Sequence, residues 1–269
     1  MRVKLFTHTD LDGIGCAVLA YLAFGKENVD VEYCNYDDID DKVEEFMEDD
    51  GLYRSYDKIF ITDISVSDSV ANMIDILDRV DRRVQLFDHH GTALFLNKYD
   101  WCMIKEDIYL ENIIKTCGTE LFCVFDLWLE YLNIYTPEVR GKIIQFVDIV
   151  RNYDTWRWKE LDDKGLISKQ MNDLFHIYGR GKFIDWAIER ISHQDEWFSE
   201  TDMLLLDQKQ KDIDIYVEEK NKQIKKFTDQ WGNSYGVVFA ERYFSELGNQ
   251  LCEMNPDLAY VAMIDISNG

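Results

Sequence analysis

The residues of this chain best suited to do chemistry are histidines and aspartates gathered in three short clusters. Such side chains are ligands that borderline divalent metal ions prefer. With one further aspartate they supply more ligands than a single ion needs, which suits a pair of metal ions, and a metal pair suits phosphoester hydrolysis. The clusters are His8-Thr9-Asp10-Leu11-Asp12-Gly13, Asp63 and Asp88-His89-His90, and the further aspartate is Asp154.

In the first cluster, His8, Asp10 and Asp12 are spaced two residues apart. On an extended segment, residues at this spacing point the same way, so the three side chains converge beyond the end of a strand. Gly13 then lets the backbone turn and come close. The alternative is a polar loop in which Asp12 caps the following helix. The histidine at the same spacing favours a metal site.

The other two clusters each have a structural alternative. Asp63 could cap a helix predicted over residues 65–80. Asp88-His89-His90 could place a pair of histidines on the surface, but three of the five histidines of the chain lie in these clusters. One of the two adjacent histidines could bind a metal ion and the other a phosphate oxygen, with Asp88 orienting an imidazole.

Short apolar strands alternate with helices in the first part of the chain. This order predicts an α/β fold, with a mostly parallel sheet and helices on both faces. Ligands of such sheets bind at the carboxyl ends of the strands, and all three clusters fall there. The predicted strands are Val3–Phe6, Val29–Tyr33, Lys58–Ile64 and Val84–Phe87, and the predicted helices are Gly13–Phe24, Asp40–Glu48 and Ser65–Val80.

After His90 the chain is predicted to be mainly helical, followed by a short strand–helix–strand segment. Thr136 and Pro137 mark a clear helix start. The predicted helices are Gly118–Leu132, Pro137 to about Val150, Lys182–Ile191, Met203–Trp231 and Glu246–Met254; Asn152–Trp156 is a loop, and Val237–Ala240 and Leu258–Ile266 are strands. We therefore predict a catalytic domain over residues 1–160, a helical connector over 161–231 and the incomplete start of a second α/β domain over 232–269.

Composition limits the partners of this chain. A formal charge of −23 argues against tight, sequence-independent binding to long nucleic acid, although a short anionic substrate held by metal ions remains compatible. The six cysteines show no C-x-x-C pairing, as in reduced intracellular proteins. We see no secretory signal and no apolar run of about 18 residues, so we expect a cytoplasmic protein that does not bind membranes.

The clusters resemble the first three motifs of the DHH phosphoesterase superfamily, and Asn152-Tyr153-Asp154-Thr155-Trp156 is similar to the fourth. That superfamily includes RecJ exonucleases, nanoRNases, cyclic-dinucleotide phosphodiesterases and family II inorganic pyrophosphatases. The opening stretch HTDLDGIGCAVLAYLAFG resembles the oligoribonuclease (nanoRNase B-like) branch most closely. In relatives the second domain ends in a glycine-rich motif with a histidine that grips nucleic acid, and this sequence stops before such a motif.

The resemblance implies a centre of two manganese ions, with magnesium or cobalt as substitutes. It implies that His8 and Asp10 hold one ion, that Asp12, His89 and Asp154 hold the other, that Asp63 bridges them, that His90 contacts the scissile phosphate beside Asp88, and that Gly118 and Thr119 meet the substrate. From the residues alone, Asp148, Asp162 and Asp163 compete with Asp154, and Gly118-Thr119 is equally well an ordinary helix start.

The resemblance implies a manganese-dependent phosphodiesterase that hydrolyses short single-stranded RNA or DNA, or dinucleotides, to nucleoside monophosphates by a two-metal mechanism. A RecJ-like exonuclease on longer DNA is an alternative, against which the acidic composition speaks. A phosphodiesterase of cyclic or linear dinucleotides is another. A non-catalytic nucleotide-binding module is a third, although every metal-ligand position of the motifs is filled. The oligomeric state stays open, with a homodimer among the options.

Overall fold

The computed structural model describes residues 1–109, 113–193 and 196–265. The chain forms two compact units, Met1–Trp197 and Phe198–Gly269. The predicted domain boundaries after residues 160 and 231 do not coincide with this division, and they stay predictions.

The first unit is built on a parallel sheet of five strands, which confirms the predicted α/β fold. The strands are β1 Val3–Thr7, β2 Val29–Tyr33, β3 Lys58–Thr62, β4 Val84–Asp88 and β5 Cys102–Ile104, in the order β2-β1-β3-β4-β5. The three central strands are almost wholly buried, as strands covered on both faces must be. The edge strand β2 is mostly half-exposed and alternates charged with apolar residues. The short edge strand β5 was not predicted.

Helices cover both faces of this sheet. On one face, Phe6, Ile59 and Ile61 pack with apolar residues of two amphipathic helices. On the other face, Phe60 lies 4.9 Å from Phe122, ring centroid to ring centroid. The helices between the strands are α1 Leu11–Phe24, α2 Ile39–Glu48, the short α3 Asp50–Tyr53 and α4 Asp68–Leu77. Helix α1 is buried nearly all round because it packs against β1 and against helices that follow later in the chain.

Two predicted elements of the region after the sheet differ in the structure. The predicted helix Gly118–Leu132 is broken into α5 Gly118–Phe122, one π-helical turn Cys123–Leu127 and α6 Trp128–Glu130. Helix α7, Pro137–Asp154, is capped by Thr136 as predicted, but it extends to Asp154 and so includes the first three residues of the predicted loop Asn152–Trp156. The added turn is held because the backbone N–H and the hydroxyl of Thr155 both donate to the carbonyl of Arg151.

The rest of the first unit comprises a small hairpin and two further helices. The hairpin strands are β6 Asp107–Tyr109 and β7 Ile113–Lys115, and the helices are α8 Asp162–Tyr178, which was not predicted, and α9 Arg180–His193. Both helices pack against α7, and α9 also packs against α1. They therefore belong to the structure that supports the sheet edge where the clusters lie.

The second unit contains α10 Glu200–Asn221, β8 Lys225–Thr228, β9 Ser234–Ala240, α11 Phe244–Met254 and β10 Tyr260–Asp265. Its sheet has the order β10-β9-β8, with β9 and β10 parallel. The predicted helix Met203–Trp231 is wrong beyond Asn221, because the Asp229 side chain binds the N–H groups of Trp231 and Asn233 and forms a turn between two strands. In the part of the chain that the structure describes, no helix has the length and apolar character that a bilayer crossing demands.

Candidate metal centre

The three sequence clusters meet at one edge of the five-stranded sheet. Thr7 pairs with Thr62, and Thr62 pairs with Phe87, so the residues that follow, His8, Asp63 and Asp88, lie at the same level on adjacent strands. Because these strands are parallel, their carboxyl ends share this edge, where α/β sheets bind their ligands.

Three groups of side chains at this edge could each hold a metal ion. Within each group, the possible ligand atoms all lie within 4.8 Å of one another. The groups are His8, Asp10 and Asp63; Asp12, His89 and Asp154; and Asp63, Asp88, His89 and His90. The groups overlap at Asp63 and His89. All the side chains that the motifs single out as ligands thus come together in one place.

Asp63 lies between the two sides of this site. Its Oδ2 is 3.8 Å from Nδ1 of His8, and its Oδ1 is 3.3 Å from Nε2 of His89. Asp63 is 1% exposed and has a left-handed backbone conformation with a φ of 57°. This conformation is uncommon in residues other than glycine, although aspartate and asparagine adopt it more often than most, and it concentrates at functional sites. It does not cap α4, because the cap there is Ser67.

Asp12 is held by the start of α5. One oxygen accepts the N–H of Gly118 at 2.6 Å, and the other accepts the N–H of Thr119 at 2.9 Å. The Thr119 hydroxyl also donates to the carbonyl of Asp12 at 2.7 Å. The cap of α1 is Asp10, whose carboxylate accepts the N–H of Gly13, so the alternative in which Asp12 caps this helix is wrong.

Gly118 is required by close packing against Asp63. A Cβ atom at Gly118 would lie 2.6 Å from the Cβ and 2.8 Å from the Cα of Asp63. The missing side chain lets the N-terminus of α5 come close enough to bind Asp12. Gly118 and Thr119 are both buried and direct their N–H groups to this carboxylate. Their contact with substrate stays a prediction.

Asp88 supports the two adjacent histidines. Its Oδ1 accepts the N–H of His89 at 2.7 Å and lies 2.7 Å from Nδ1 of His90. Its Oδ2 accepts the hydroxyl of Ser65 at 2.5 Å. Although burial opposes the change, the hydrogen bond from His90 lowers the pKa of the Asp88 carboxyl, and the same bond raises the pKa of His90.

Among the competing aspartates, the structure brings only Asp154 to this site. Its Oδ2 lies 3.6 Å from Nε2 of His89. Asp148 instead pairs with Arg151 at 2.6 Å, and Asp162 and Asp163 are exposed in the first turn of α8.

Several buried polar atoms of the site lack a hydrogen-bond partner in the part of the chain that the structure describes and could bind a cation. His8 Nδ1, His89 Nε2 and both carboxylate oxygens of Asp63 are buried and have no hydrogen-bond partner among the described residues. Leaving such groups unpaired is costly unless a ligand satisfies them. Imidazole nitrogens beside carboxylates suit manganese, zinc or iron better than calcium. The donor set therefore fits transition-metal ions.

Carboxylates crowded in a buried site resist ionisation. Burial, followed by the charges of Asp12 and Asp10, raises the pKa of Asp63 well above its ordinary value. The same causes raise the pKa of Asp154 to about 8. A divalent cation relieves both effects, because it neutralises the carboxylates and replaces their protons.

These shifts predict that the stability of the metal-free protein falls as the pH rises. Asp63 and Asp154 keep protons in the folded state that the unfolded chain has already lost, so ionisation favours unfolding from about pH 4, near the ordinary pKa of a carboxyl, to about pH 8, the folded-state pKa of Asp154. The pKa of His90 is also raised, so loss of its proton likewise lowers the stability once the pH exceeds the ordinary pKa of histidine. Circular dichroism should show a falling Tm across this range, and added manganese should raise the Tm most at the alkaline end. A manganese effect that shrinks with pH would contradict the expectation.

Tyr36 also joins the site, and the sequence reasoning missed it. Its hydroxyl lies 3.3 Å from Nε2 of His90, and its ring centroid lies 5.2 Å from that of His8. It is 64% exposed. The available signal was its position three residues after β2, at the same edge of the sheet as the clusters.

The chain is similar to known proteins in sequence and in fold. The chain is 32% identical to oligoribonuclease NrnB of Bacillus subtilis (strain 168) over 98% of its own length and 64% of that protein's length. A solved DHH domain, described as a member of the s1p family of ribosomal proteins, matches 98% of this chain and 71% of its own with a TM-score of 0.54 at 14% identity. No family model matches.

The chain has the fold of a DHH domain. Exonuclease RecJ bound to manganese shares this fold with a TM-score of 0.52 at 13% identity, matching 98% of this chain and 75% of its own. The resemblance that the motifs predict is thereby confirmed as a likeness in sequence to an oligoribonuclease and a likeness in fold to DHH-domain proteins. In this DHH fold, the motif residues line the carboxyl edge of the sheet.

Proposed function

We propose that this protein is a manganese-dependent phosphodiesterase that hydrolyses short single-stranded oligonucleotides to nucleoside monophosphates. The chain spans 64% of the length of NrnB, which is named an oligoribonuclease. The residues argued to do the chemistry all lie within the first compact unit.

The position of Asp63 carries this proposal. Its two oxygens are buried, unpaired, and directed toward histidines on opposite sides, His8 and His89. A carboxylate in this position is suited to bridge two cations, since each oxygen already lies beside another candidate ligand. Two bound manganese ions would supply Lewis acidity and lower the pKa of a water molecule toward neutrality.

The remaining ligands divide on either side of Asp63. His8 and Asp10 would hold one ion, and their nearest side-chain atoms are 2.9 Å apart. Asp12, His89 and Asp154 would hold the other. The hydrogen bonds from α5 fix the orientation of Asp12, so this carboxylate is already positioned before a metal ion binds.

His90 would stabilise the phosphoryl group. Asp88 binds its Nδ1, so the hydrogen bond holds the ring in a fixed orientation and favours the protonated imidazole. Its Nε2 faces the Tyr36 hydroxyl. A positive donor at this position would stabilise the charge that develops on phosphoryl oxygens during hydrolysis.

The proposal is tested by incubating the purified protein and manganese with end-labelled RNA and DNA oligomers of two to about twenty-five nucleotides. Stepwise loss of the shortest oligomers, with release of nucleoside monophosphates, is the expected result. Degradation of the long strands as fast as the short ones would instead support a RecJ-like exonuclease.

Metal analysis separates an enzyme from a binding module. Retention of manganese and nucleotide without any consumption of the oligomers or of cyclic dinucleotides would overturn the proposal in favour of a non-catalytic role. A matched incubation with a chelator controls for contaminating metal-independent nucleases.

A further inference from the structure

Helices α7 and α8 enclose a second cavity in the first unit, which the proposed reaction does not use. Its volume is about 710 Å³, within the usual range for small-molecule sites. Four of its lining side chains are basic and two are acidic, although the chain as a whole has 52 acidic and 29 basic residues. The basic residues are Lys142, Arg151, Arg157 and Lys164, and the acidic ones are Asp148 and Glu196.

The cavity lies on a different face of α7 from the metal centre. Gln145, Asp148 and Asn152 line it at helical spacing, which places them on one side of the helix. Asp154 follows Asn152 by two residues and is therefore turned by about 200° around the helix axis. The middle of the face that lines the cavity therefore lies on roughly the opposite side of α7 from Asp154, with Arg151 at the edge nearer to it.

Two of the basic side chains of the cavity, Arg157 and Lys164, have no partner among the residues that the structure describes. Within the described part of the chain, the side chains of Arg157 and Lys164 form neither an ion pair nor a hydrogen bond. In so acidic a protein, most basic side chains can find a carboxylate nearby. Arg157 is half-buried, where an unpaired charge is costlier than on the surface.

Two other walls of the cavity have features that suit a nucleotide, namely a helix start and an aromatic ring. Leu161 and Lys164, at the start of α8, line it, and no side chain caps this 17-residue helix. Uncapped N–H groups at a helix start favour phosphate. Trp197, which is 7% exposed, provides a flat apolar wall, and Nζ of Lys142 lies 4.2 Å from its ring centroid.

We infer that this cavity binds a nucleoside phosphate, with Arg157 and Lys164 holding the phosphate and Trp197 contacting the base or ribose. The phosphate could belong to a free nucleoside monophosphate or to a distal nucleotide of a bound oligomer. The shared chemistry is a phosphate monoester or diester of a ribose that carries an aromatic base.

The first test is calorimetric titration of the full, metal-free chain with adenosine 5′-monophosphate. We expect the double variant Arg157→Gln/Lys164→Gln to bind it about tenfold more weakly than the wild type, since it loses charge-assisted hydrogen bonds. The control variant Lys115→Gln/Lys182→Gln removes the same charge from exposed positions outside the cavity and should bind as the wild type does. Equal affinity in wild type and double variant, or no binding by the wild type, would overturn the inference.

The single variant Lys164→Gln serves if the double variant does not fold, because it alters an exposed side chain. It must then weaken the same binding by on the order of threefold. This binding test does not depend on turnover. The inferred binding can therefore be absent in an active enzyme, and it can be present in a protein that lacks the proposed activity. With manganese, a double variant whose KM rises for oligomers of about five nucleotides but not for dinucleotides identifies a distal nucleotide as the ligand, and unchanged KM values identify a free one.

Discussion

Asp63→Asn is expected to lower the turnover of short oligonucleotides by on the order of 10³-fold, equivalent to roughly 4 kcal/mol of transition-state stabilisation. The same substitution should raise the stability of the metal-free protein. Both effects have one cause. Asp63 is a buried carboxylate with two unpaired oxygens, and it lies beside Asp12 and Asp10, whose charges oppose its ionisation.

Asparagine is the informative replacement because it keeps the shape and tolerates the backbone. With a φ of 57°, position 63 is left-handed, a conformation that asparagine adopts readily and alanine does not. An alanine variant would mix loss of the carboxylate with backbone strain of about 1 kcal/mol or more. The asparagine amide keeps one side-chain oxygen, but it has no negative charge and no second oxygen with which to bridge two cations.

Thermal unfolding and steady-state kinetics, each with and without manganese, test both halves of this expectation. The metal-free variant should unfold at a higher temperature than the metal-free wild type above about pH 7, and manganese should stabilise it less. Asp68→Asn makes the same chemical change at an exposed position in the same unit and should alter neither property. Full manganese-dependent activity in Asp63→Asn would refute the bridging role.

The sheet and the meeting of the three clusters at its edge were predictable because they depend on local patterns. Val3–Thr7, Lys58–Thr62 and Val84–Asp88 are short apolar runs, each followed directly by a polar cluster. Parallel strands bring their carboxyl ends to one edge, so the order of strands and helices already implies that the clusters meet. The composition of each cluster then indicates a metal ion.

The features that the sequence did not reveal depend on contacts between distant segments. Gly118 binds Asp12 across 106 residues, and no local pattern marks that pair. The helix predicted over Gly118–Leu132 gives way to a π-helical turn, since its apolar spacing does not distinguish helix types. Tyr36 reaches His90 from a loop after an edge strand, which only the three-dimensional order of the strands reveals.

The contact between α5 and β3 leads to a second large expected effect. Gly118→Ala should destabilise the protein by about 2 kcal/mol, because its Cβ would lie 2.6 Å from the Cβ and 2.8 Å from the Cα of Asp63. Backbone atoms at such distances cannot give way as the end of a flexible side chain can. The helix start must move, and Asp12 then loses its two N–H donors.

Activity should fall with this movement by about 10- to 100-fold, the usual consequence of releasing a metal ligand from its supporting hydrogen bonds. Gly141→Ala is the matched control. Gly141 lies inside α7 with no neighbouring atom within 4 Å of the added Cβ, so the substitution should stabilise that helix by roughly 0.5–1 kcal/mol and leave activity unchanged. Manganese titrations should show weaker binding in Gly118→Ala and wild-type binding in Gly141→Ala. If Gly118→Ala lost stability but bound manganese as the wild type does, α5 would support the fold without positioning Asp12, and the link from α5 to the metal centre would have to be abandoned.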